Sequence, residues 1–314
     1  MKRSDFRFHD HLRVRWVEID AQKIVFNGHY LMYFDTAVAG YWRALAMPYA
    51  QTLERLGGDL FVRKASLDYA GSARYDDRLA IGLRCAPVGN SSIRFSGAAF
   101  RQDELLVSCE LVYVFADPQT QTSKPVPDAL RAILQAFEAG ESMVDVRVGG
   151  WDVPELHARA IRTEVFIAEQ KIPLEMEWDD ADAGAVHAVA LNRFGQPLAT
   201  GRLLQDAPGV ARVGRMAAIR SLRGSGVGRA VLDALMRAAA ARGDREVRLH
   251  AQCAGLLCTR RLRAARRGVR GSRHRPHRDG AAAVAGTRAR RQAVATSCSE
   301  TTGCSTGPCP SSPT

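Results

Sequence analysis

The sequence predicts an α+β chain in which two different domains follow one another. Three observations carry this expectation. From Asn27 on, Tyr30, Phe34 and Val38 recur at helical spacing, and this helix precedes several runs of alternating apolar residues. The following stretch alternates strands and helices around a Gly-rich turn, Arg223-Gly224-Ser225-Gly226-Val227-Gly228. After Gly255, Phe, Tyr and Trp vanish and Arg takes over.

The first domain spans residues 1–140. Leu12 to Ile19 reads as a strand that delivers Asp20, and Asn27 is a good N-cap for the helix that follows. Arg63 to Tyr69 reads as a strand. So do the run with Leu79, Ile81, Leu83 and Cys85 on one face, Ser92 to Phe100, and Leu105 to Phe115. Each alternates with period two, the mark of one buried face. Asp76-Asp77 forms a turn between strands. Pro118 ends the last strand. Pro125 and Pro127 precede a short helix, Asp128 to Glu138, and Ala139-Gly140-Glu141-Ser142 reads as the linker.

The second domain spans residues 141–254. Met143 to Val148 is a strand, and Pro154 to Phe166 a helix with Leu156, Ala160 and Val165 inward. Val186 to Leu191 and Pro197 to Leu204 are strands around a turn at Phe194-Gly195-Gln196, and Arg212 to Ile219 is a further strand. The Gly-rich turn opens a helix with Val231, Leu232, Leu235 and Met236 on its apolar face. Val247, Leu249 and Ala251 then alternate as the next strand.

Composition excludes several functions. The 314-residue chain carries 44 basic and 33 acidic residues, a formal charge of +11. Twelve Arg but only two acids, Asp279 and Glu300, fall within residues 255–314, which leaves 32 basic against 31 acidic residues elsewhere. The two domains thus have no bias toward phosphate backbones, and the tail has no aromatics to stack bases, so no nucleic-acid partner is expected. No apolar run of about 18 residues is present, which predicts no membrane span. The opening MKRSDFRFHDHLRVRW lacks the apolar core of a secretory signal. Cys85 and Cys109 sit in strand-like runs and read as buried thiols, so a cytoplasmic protein is expected.

The chemistry concentrates in Trp16 to Phe34, WVEIDAQKIVFNGHYLMYF. Asp20 lies seven residues before a helix start at Asn27-Gly28, where exposed amides favour negative charge. A carboxylate beside an anion site is equipment for acyl transfer. The amides stabilise an oxyanion while the carboxylate attacks the carbonyl or activates water. On composition alone, an Asp in a turn before an ordinary helix remains the alternative.

The segment resembles the signature of hotdog-fold acyl-CoA thioesterases of the 4-hydroxybenzoyl-CoA thioesterase type, D-x-x-G-x-V-x-x-x-x-Y, at Asp20, Val25 and Tyr30. The likeness continues through FVRKASLDYAGSARYDDRL and LLVSCELVYVFAD. It departs at Gln22-Lys23, which replaces a Gly-containing pair. The resemblance implies a long helix wrapped by an antiparallel sheet, and thioester hydrolysis without a cofactor. It also implies a homodimer or homotetramer with active sites near the interface. Asp20, Asn27, Gly28 and Tyr30 form the expected catalytic set. His29, Arg63 and Lys64 are expected to meet substrate, the last two at the CoA phosphates; solvated or structural roles are the alternatives.

The turn RGSGVG is neither a dinucleotide fingerprint nor a P-loop, because G-x-G-x-x-G and G-K-[ST] are both absent. R-x-x-G-x-G after a strand resembles the pyrophosphate loop of GCN5-related N-acetyltransferases. RTEVFIAEQKIP, EWDDADAGAVHAVA, ATGRLL, GRMAAI and LHAQC match one subfamily in order. The resemblance implies acetyl-CoA as cofactor, with Met216 and Ala218 on the pantetheine arm. Arg223, Gly224, Ser225, Gly226, Val227 and Gly228 would hold the pyrophosphate. Glu169, Gln170, Glu177, Asp179 and His187 are candidates for the acceptor pocket, with EWDDAD equally readable as a solvated acidic loop. Arg215 is expected to face solvent or a carboxylate.

Beyond LHAQC the family continues with a helix carrying the Tyr that protonates the CoA thiolate. This chain continues instead as GLLCTRRLRAARRGVRGSRHRPHRDG. Through the genetic code, Gly255 to Asp279 permit a one-nucleotide-shifted reading, AFYARxGFVPRGExFxEAGIxHIEM, which is the family ending. A frameshift close to Ala254 is the expectation, with a truncated acetyltransferase domain and a disordered tail at 255–314. The leading function is acyl-CoA hydrolysis beside an impaired acetyltransferase. The alternatives are a non-catalytic acyl-CoA or acyl-carrier binding module with a docking domain, and a basic interaction protein driven by the tail.

Overall fold

In the computed structural model, which describes residues 1–152 and 155–249, the first domain is built around one helix, α1 (Asn27–Ala44). Its Phe34, Ala37, Tyr41 and Trp42 are fully buried. The sheet beneath comprises β1 (Phe8–Arg13), β2 (Asp59–Tyr69), β3 (Arg78–Cys85), β4 (Ser92–Arg101) and β5 (Glu104–Ala116). All pairings are antiparallel in the order β1-β3-β4-β5-β2, so β1 and β2 are the edges. This is the hotdog arrangement, a helix wrapped by an antiparallel sheet. Gly97 on β4 makes the wrap possible: a Cβ there would lie 2.8 Å from the Phe34 ring. Tyr41 meets Phe95 and Phe137 edge to face at 5.1 and 5.0 Å.

Two elements of this first domain differ from the sequence expectation. The strand expected over Leu12 to Ile19 lies earlier, as β1, and Trp16–Glu18 is a 3-10 turn. The cause is Glu18, whose carboxylate binds back to the Arg15 amide and guanidinium and tightens the chain. A short helix, α2 (Tyr49–Leu56), also follows α1; it buries only Thr52 and Leu53, which gives it little apolar signal. The helix expected over Asp128 to Glu138 is α3 (Asp128–Glu138).

The second sheet holds β6 (Val144–Gly149), β7 (Val186–Asn192), β8 (Pro197–Ala207), β9 (Val210–Ala218) and β10 (Glu246–Leu249) in the order β10-β9-β8-β7-β6. Among the described strands only β9 and β10 run parallel. The helices are α4 (Glu155–Arg162), continued by a π-helical turn at Thr163–Glu169, then α5 (Leu174–Glu177) and α6 (Val227–Arg242). On β7, Val189 and Leu191 join the cluster that holds Ala158 and Ile161 of α4. Ala188 and Ala190 join the one that holds Val231 and Leu235 of α6. Helices on both faces explain why β7 is apolar at nearly every position.

One apolar cluster runs through both domains, from Ala46, Met47 and Leu53 to Ala190 and Leu198. At the junction, Asn192 Nδ2 donates to the Ala46 carbonyl at 3.2 Å. Ala251 and the tail at 255–314 lie outside the described residues.

Candidate active sites

Asp20 sits in a closed loop. An Ile19–Val25 bridge and a 3.0 Å hydrogen bond from the Phe26 amide to the Glu18 carbonyl fold the loop back onto the start of α1. Asp20 Oδ1 accepts from the Gln22 amide at 2.8 Å and the Ile24 amide at 3.4 Å. Oδ2 has no partner among the described residues. Lys23 adopts φ 63°, the left-handed conformation that favours Gly, so the loop keeps its shape although Lys stands there.

At the start of α1, Phe26 is the residue before the first turn and Asn27 the first helical residue. Asn27 is therefore not the side-chain cap expected of it. The amides of Asn27 and Gly28 have no acceptor among the described residues, and both residues are exposed. The Tyr69 hydroxyl donates to the Asn27 carbonyl at 3.1 Å, fastening β2 to the helix start.

Tyr30, expected in the catalytic set, is 2% exposed, and its hydroxyl accepts from the Ala73 amide at 2.8 Å. The Val25 amide donates to the Ala73 carbonyl at 2.9 Å. Val25 and Tyr30 thus pin the segment before β3 against the helix start, a structural reason for their spacing. His29 is half-buried, and its Nδ1 has no hydrogen-bond partner among the described residues. Arg63 is exposed at a bulge of β2 without a partner among the described residues, whereas Lys64 is paired with Glu110 at 2.7 Å. Asp76 lies in the expected turn, at φ 68°.

Glu18 went unnoticed in the sequence although it is 2% exposed. Burial pushes its pKa up, but the Arg15 amide, the Tyr33 hydroxyl at 2.7 Å and the Arg15 guanidinium outweigh this and hold it below its ordinary range. The one available signal was the Arg15–Glu18 spacing. Around the loop, Trp16 and Val17 are 75% and 77% exposed, and Phe26, Met32 and Tyr69 are also exposed.

In the second domain the Gly-rich turn is left-handed at Gly224 (φ 83°) and Gly226 (φ 93°), and α6 follows at once. The amides of Gly226, Val227 and Gly228 have no acceptor among the described residues, which makes an anion cradle. Ser225 Oγ turns inward to the Leu222 carbonyl at 2.7 Å. Arg223 is engaged: it donates to both oxygens of Glu169 at 2.7 and 2.5 Å and to the Ala218 carbonyl at 3.1 Å. Opposite Thr200–Arg202, β9 bulges and Met216 drops out of the ladder. Gly201 accommodates it, since a Cβ there would lie 2.4 Å from Met216 Sδ.

A cleft of about 290 Å³ lies beside this bulge, lined by Gln170, Asp179, Arg202, Arg212, Arg215 and Met216 among others. Of the expected acceptor residues, Gln170 and Asp179 reach it. Glu177 and His187 are buried behind it, with His187 Nε2 2.9 Å from the Asp182 carbonyl. Burial holds the His187 pKa below its usual value. The EWDDAD segment is solvated only in part: Asp179, Asp180 and Ala181 are exposed, while Glu177 and Asp182 are buried. Arg162, 1% exposed, binds Glu177 at 2.5 Å and Asp182 at 2.9 Å, and Arg202 binds Asp179 and Asp182 at 2.5 and 2.7 Å. Arg215 meets a carboxylate, Asp179, at 3.1 Å.

Residues 14–134 match the thioesterase-like superfamily, and residues 154–256 match the acetyltransferase (GNAT) family. The chain is 29% identical over 91 residues to a protein of Aquifex aeolicus strain VF5 named as an esterase, covering 29% of this chain and 70% of that one. It is 34% identical over 93 residues to an uncharacterized N-acetyltransferase of Bacillus subtilis strain 168, covering 29% of this chain and 64% of that one. Among solved structures, a 1,4-dihydroxy-2-naphthoyl-CoA thioesterase from Synechocystis superposes with a TM-score of 0.38 at 17% identity, covering 41% of this chain and 95% of that one. Among the described residues no helix is long and apolar enough to cross a membrane, and no cluster of metal ligands is found. The chain is thus a thioesterase-like hotdog domain followed in sequence by a GNAT-like domain.

Proposed function

We propose that the first domain hydrolyses acyl-CoA thioesters, with short or aromatic acyl groups. The observation that carries this is Asp20: one carboxylate oxygen is fixed by two amides and the other is left free, in a loop folded onto the open start of α1. Oδ2 attacks the thioester carbonyl carbon, or takes the proton of a water that attacks it. The Asn27 and Gly28 amides receive the oxyanion, the C–S bond breaks and CoA leaves as the thiolate. On the direct route, water then hydrolyses the acyl–aspartyl anhydride. Tyr30 supports this set through Ala73. His29 borders substrate, and Arg63 rather than the paired Lys64 is free for a CoA phosphate.

The apolar rim at Trp16, Val17 and Met32 and the open edge of β2 support a dimer, or a dimer of dimers, through this domain. Incubation of the full chain with a panel of acyl-CoAs, with free thiol as the readout, tests the reading. Binding of these thioesters without CoA release would leave a binding module instead.

In the second domain, Gly226 to Gly228 would hold the acetyl-CoA pyrophosphate and the Met216–Ala218 edge the pantetheine arm. When bound, acetyl-CoA supplies the acetyl group for transfer to an amine. Acetyl transfer by this chain is proposed to be impaired, since the sequence beyond Ala254 lacks the Tyr the family resemblance calls for. Assay beside a frame-restored version tests this; equal transfer rates would end the proposal.

A further inference from the structure

We propose that the cleft of the second domain binds a small amine that also carries an anionic group, a carboxylate or a phosphate. This rests on the reading of that domain as an acetyl-CoA-dependent transferase. The first argument is size. At about 290 Å³ the cleft is at the lower end of small-molecule sites, roughly 300–1,000 Å³, which favours a metabolite over a protein side chain with its flanking backbone.

The second argument is charge. The wall presents three guanidinium groups, Arg202, Arg212 and Arg215, against one carboxylate, Asp179. Both Asp179 oxygens already accept, from Arg202 at 2.5 and 3.0 Å and from Arg215 at 3.1 Å. Glu177 and Asp182, which balance the group, are buried behind the wall, bound to Arg162 and paired as well with Arg215 at 3.6 Å and Arg202 at 2.7 Å. What faces the cleft is therefore cationic. Arg212 is tied to Asp206 only through Nε at 2.9 Å, and its terminal nitrogens have no partner among the described residues.

The third argument is incompleteness. Among the described residues Arg202 Nε is buried without a hydrogen bond, and Arg215 Nε and Glu177 Oε2 face each other as an ion pair at 3.6 Å, too long for a hydrogen bond, although Glu177 and Arg202 are more than nine-tenths buried. Native interiors leave few such atoms unmatched, and a bound polar ligand is one way to complete such a network. Arg215 also holds φ 50° at the bulge of β9, a conformation unfavourable for a long side chain and characteristic of binding sites. An anion on Arg212 and Arg215 places the ligand beside Met216, on the edge proposed for the acetyl donor.

The test is calorimetry on the full chain with six probes. 4-Aminobutyrate and glucosamine 6-phosphate carry both groups, butylamine and glucosamine only the amine, and butyrate and inorganic phosphate only the anion. A two-group probe should bind at least tenfold more tightly than its amine-only counterpart, and which of the two binds identifies the anion. Arg212→Gln should weaken that binding about tenfold, and Arg212→Lys should restore most of it. Equal binding of amine-only probes, or full binding by a folded Arg212→Gln chain, would overturn the proposal. Acetyl-CoA is titrated separately. Its failure to bind refutes the transferase reading, whereas its binding without that of any anionic amine refutes this proposal alone.

Discussion

Substituting Asp20 two ways separates its chemical role from its structural one. In Asp20→Asn the side-chain oxygen still accepts from the Gln22 and Ile24 amides, now at 2.8 and 3.4 Å, so the loop should keep its shape. Only the charge on the free oxygen is lost. Asp20→Ala removes both hydrogen bonds as well. One is short and one is long, which sets the stability cost at about 1–2 kcal/mol. Loss of the carboxylate should lower kcat by about 10²-fold or more in both variants, as for a main acid–base or nucleophilic group. Thiol release from acyl-CoAs reads the first effect and urea unfolding the second. The expected pattern is equal loss of kcat with unequal loss of stability. Normal turnover by folded Asp20→Asn would refute the assignment, and equal destabilisation of the two variants would refute the account of the loop.

Four further predictions follow from the geometry. Gly226→Ala forces a side chain onto φ 93°, so it should cost about 1–2 kcal/mol in denaturant melts and weaken acetyl-CoA binding; unchanged affinity would remove the loop from the cofactor site. Glu18→Gln should be less stable than the parent at pH 7, by about 1–3 kcal/mol. Because the folded pKa of Glu18 lies below the unfolded one, that advantage is complete above about pH 4.3 and disappears as the pH falls through the folded value; a gap that persists in acid would contradict this. Burial raises the Cys85 and Cys109 thiols to about 12, so mass-mapped alkylation of the native chain at pH 8 should leave both unmodified. Deleting residues 143–314 should lower the melting temperature of the first domain, because the apolar cluster shared by the two domains loses its second-domain members; an unchanged melt would mean the domains are independent.

Much of the fold was legible because its signals are periodic. Strands buried on one face, such as Ser92 to Phe100, alternate visibly, and α1 carries its apolar stripe from Tyr30 to Val38. What escaped depends on contacts distant in sequence or on polar groups. Nothing local says that Glu18 lies under Tyr33, or that Tyr69 reaches Asn27. EWDDAD reads as solvated because its charges are local, while the guanidiniums that neutralise them arrive from Arg162, Arg202 and Arg215, the last reaching Asp179 across 36 positions. The hairpin that carries Asp20, closed by the Ile19–Val25 bridge, has no local signal either, and the strand expected to deliver Asp20 ends at Arg13. The engagement of Arg223 by Glu169 was not anticipated, because the pair is 54 residues apart.

The apolar cluster shared by the two domains has a consequence for how such a chain changes over generations. A domain whose chemistry fails is ordinarily free to decay. Here, decay of the second sheet would thin the apolar cluster that also holds Ala46 and Met47 and would remove the Asn192 bond to Ala46, at the end of the helix whose other end holds the proposed oxyanion site. Selection for hydrolysis alone would then preserve Ala190, Leu198 and Asn192 while leaving the acceptor cleft to drift. A second domain can outlast its own reaction by serving as a buttress for its neighbour.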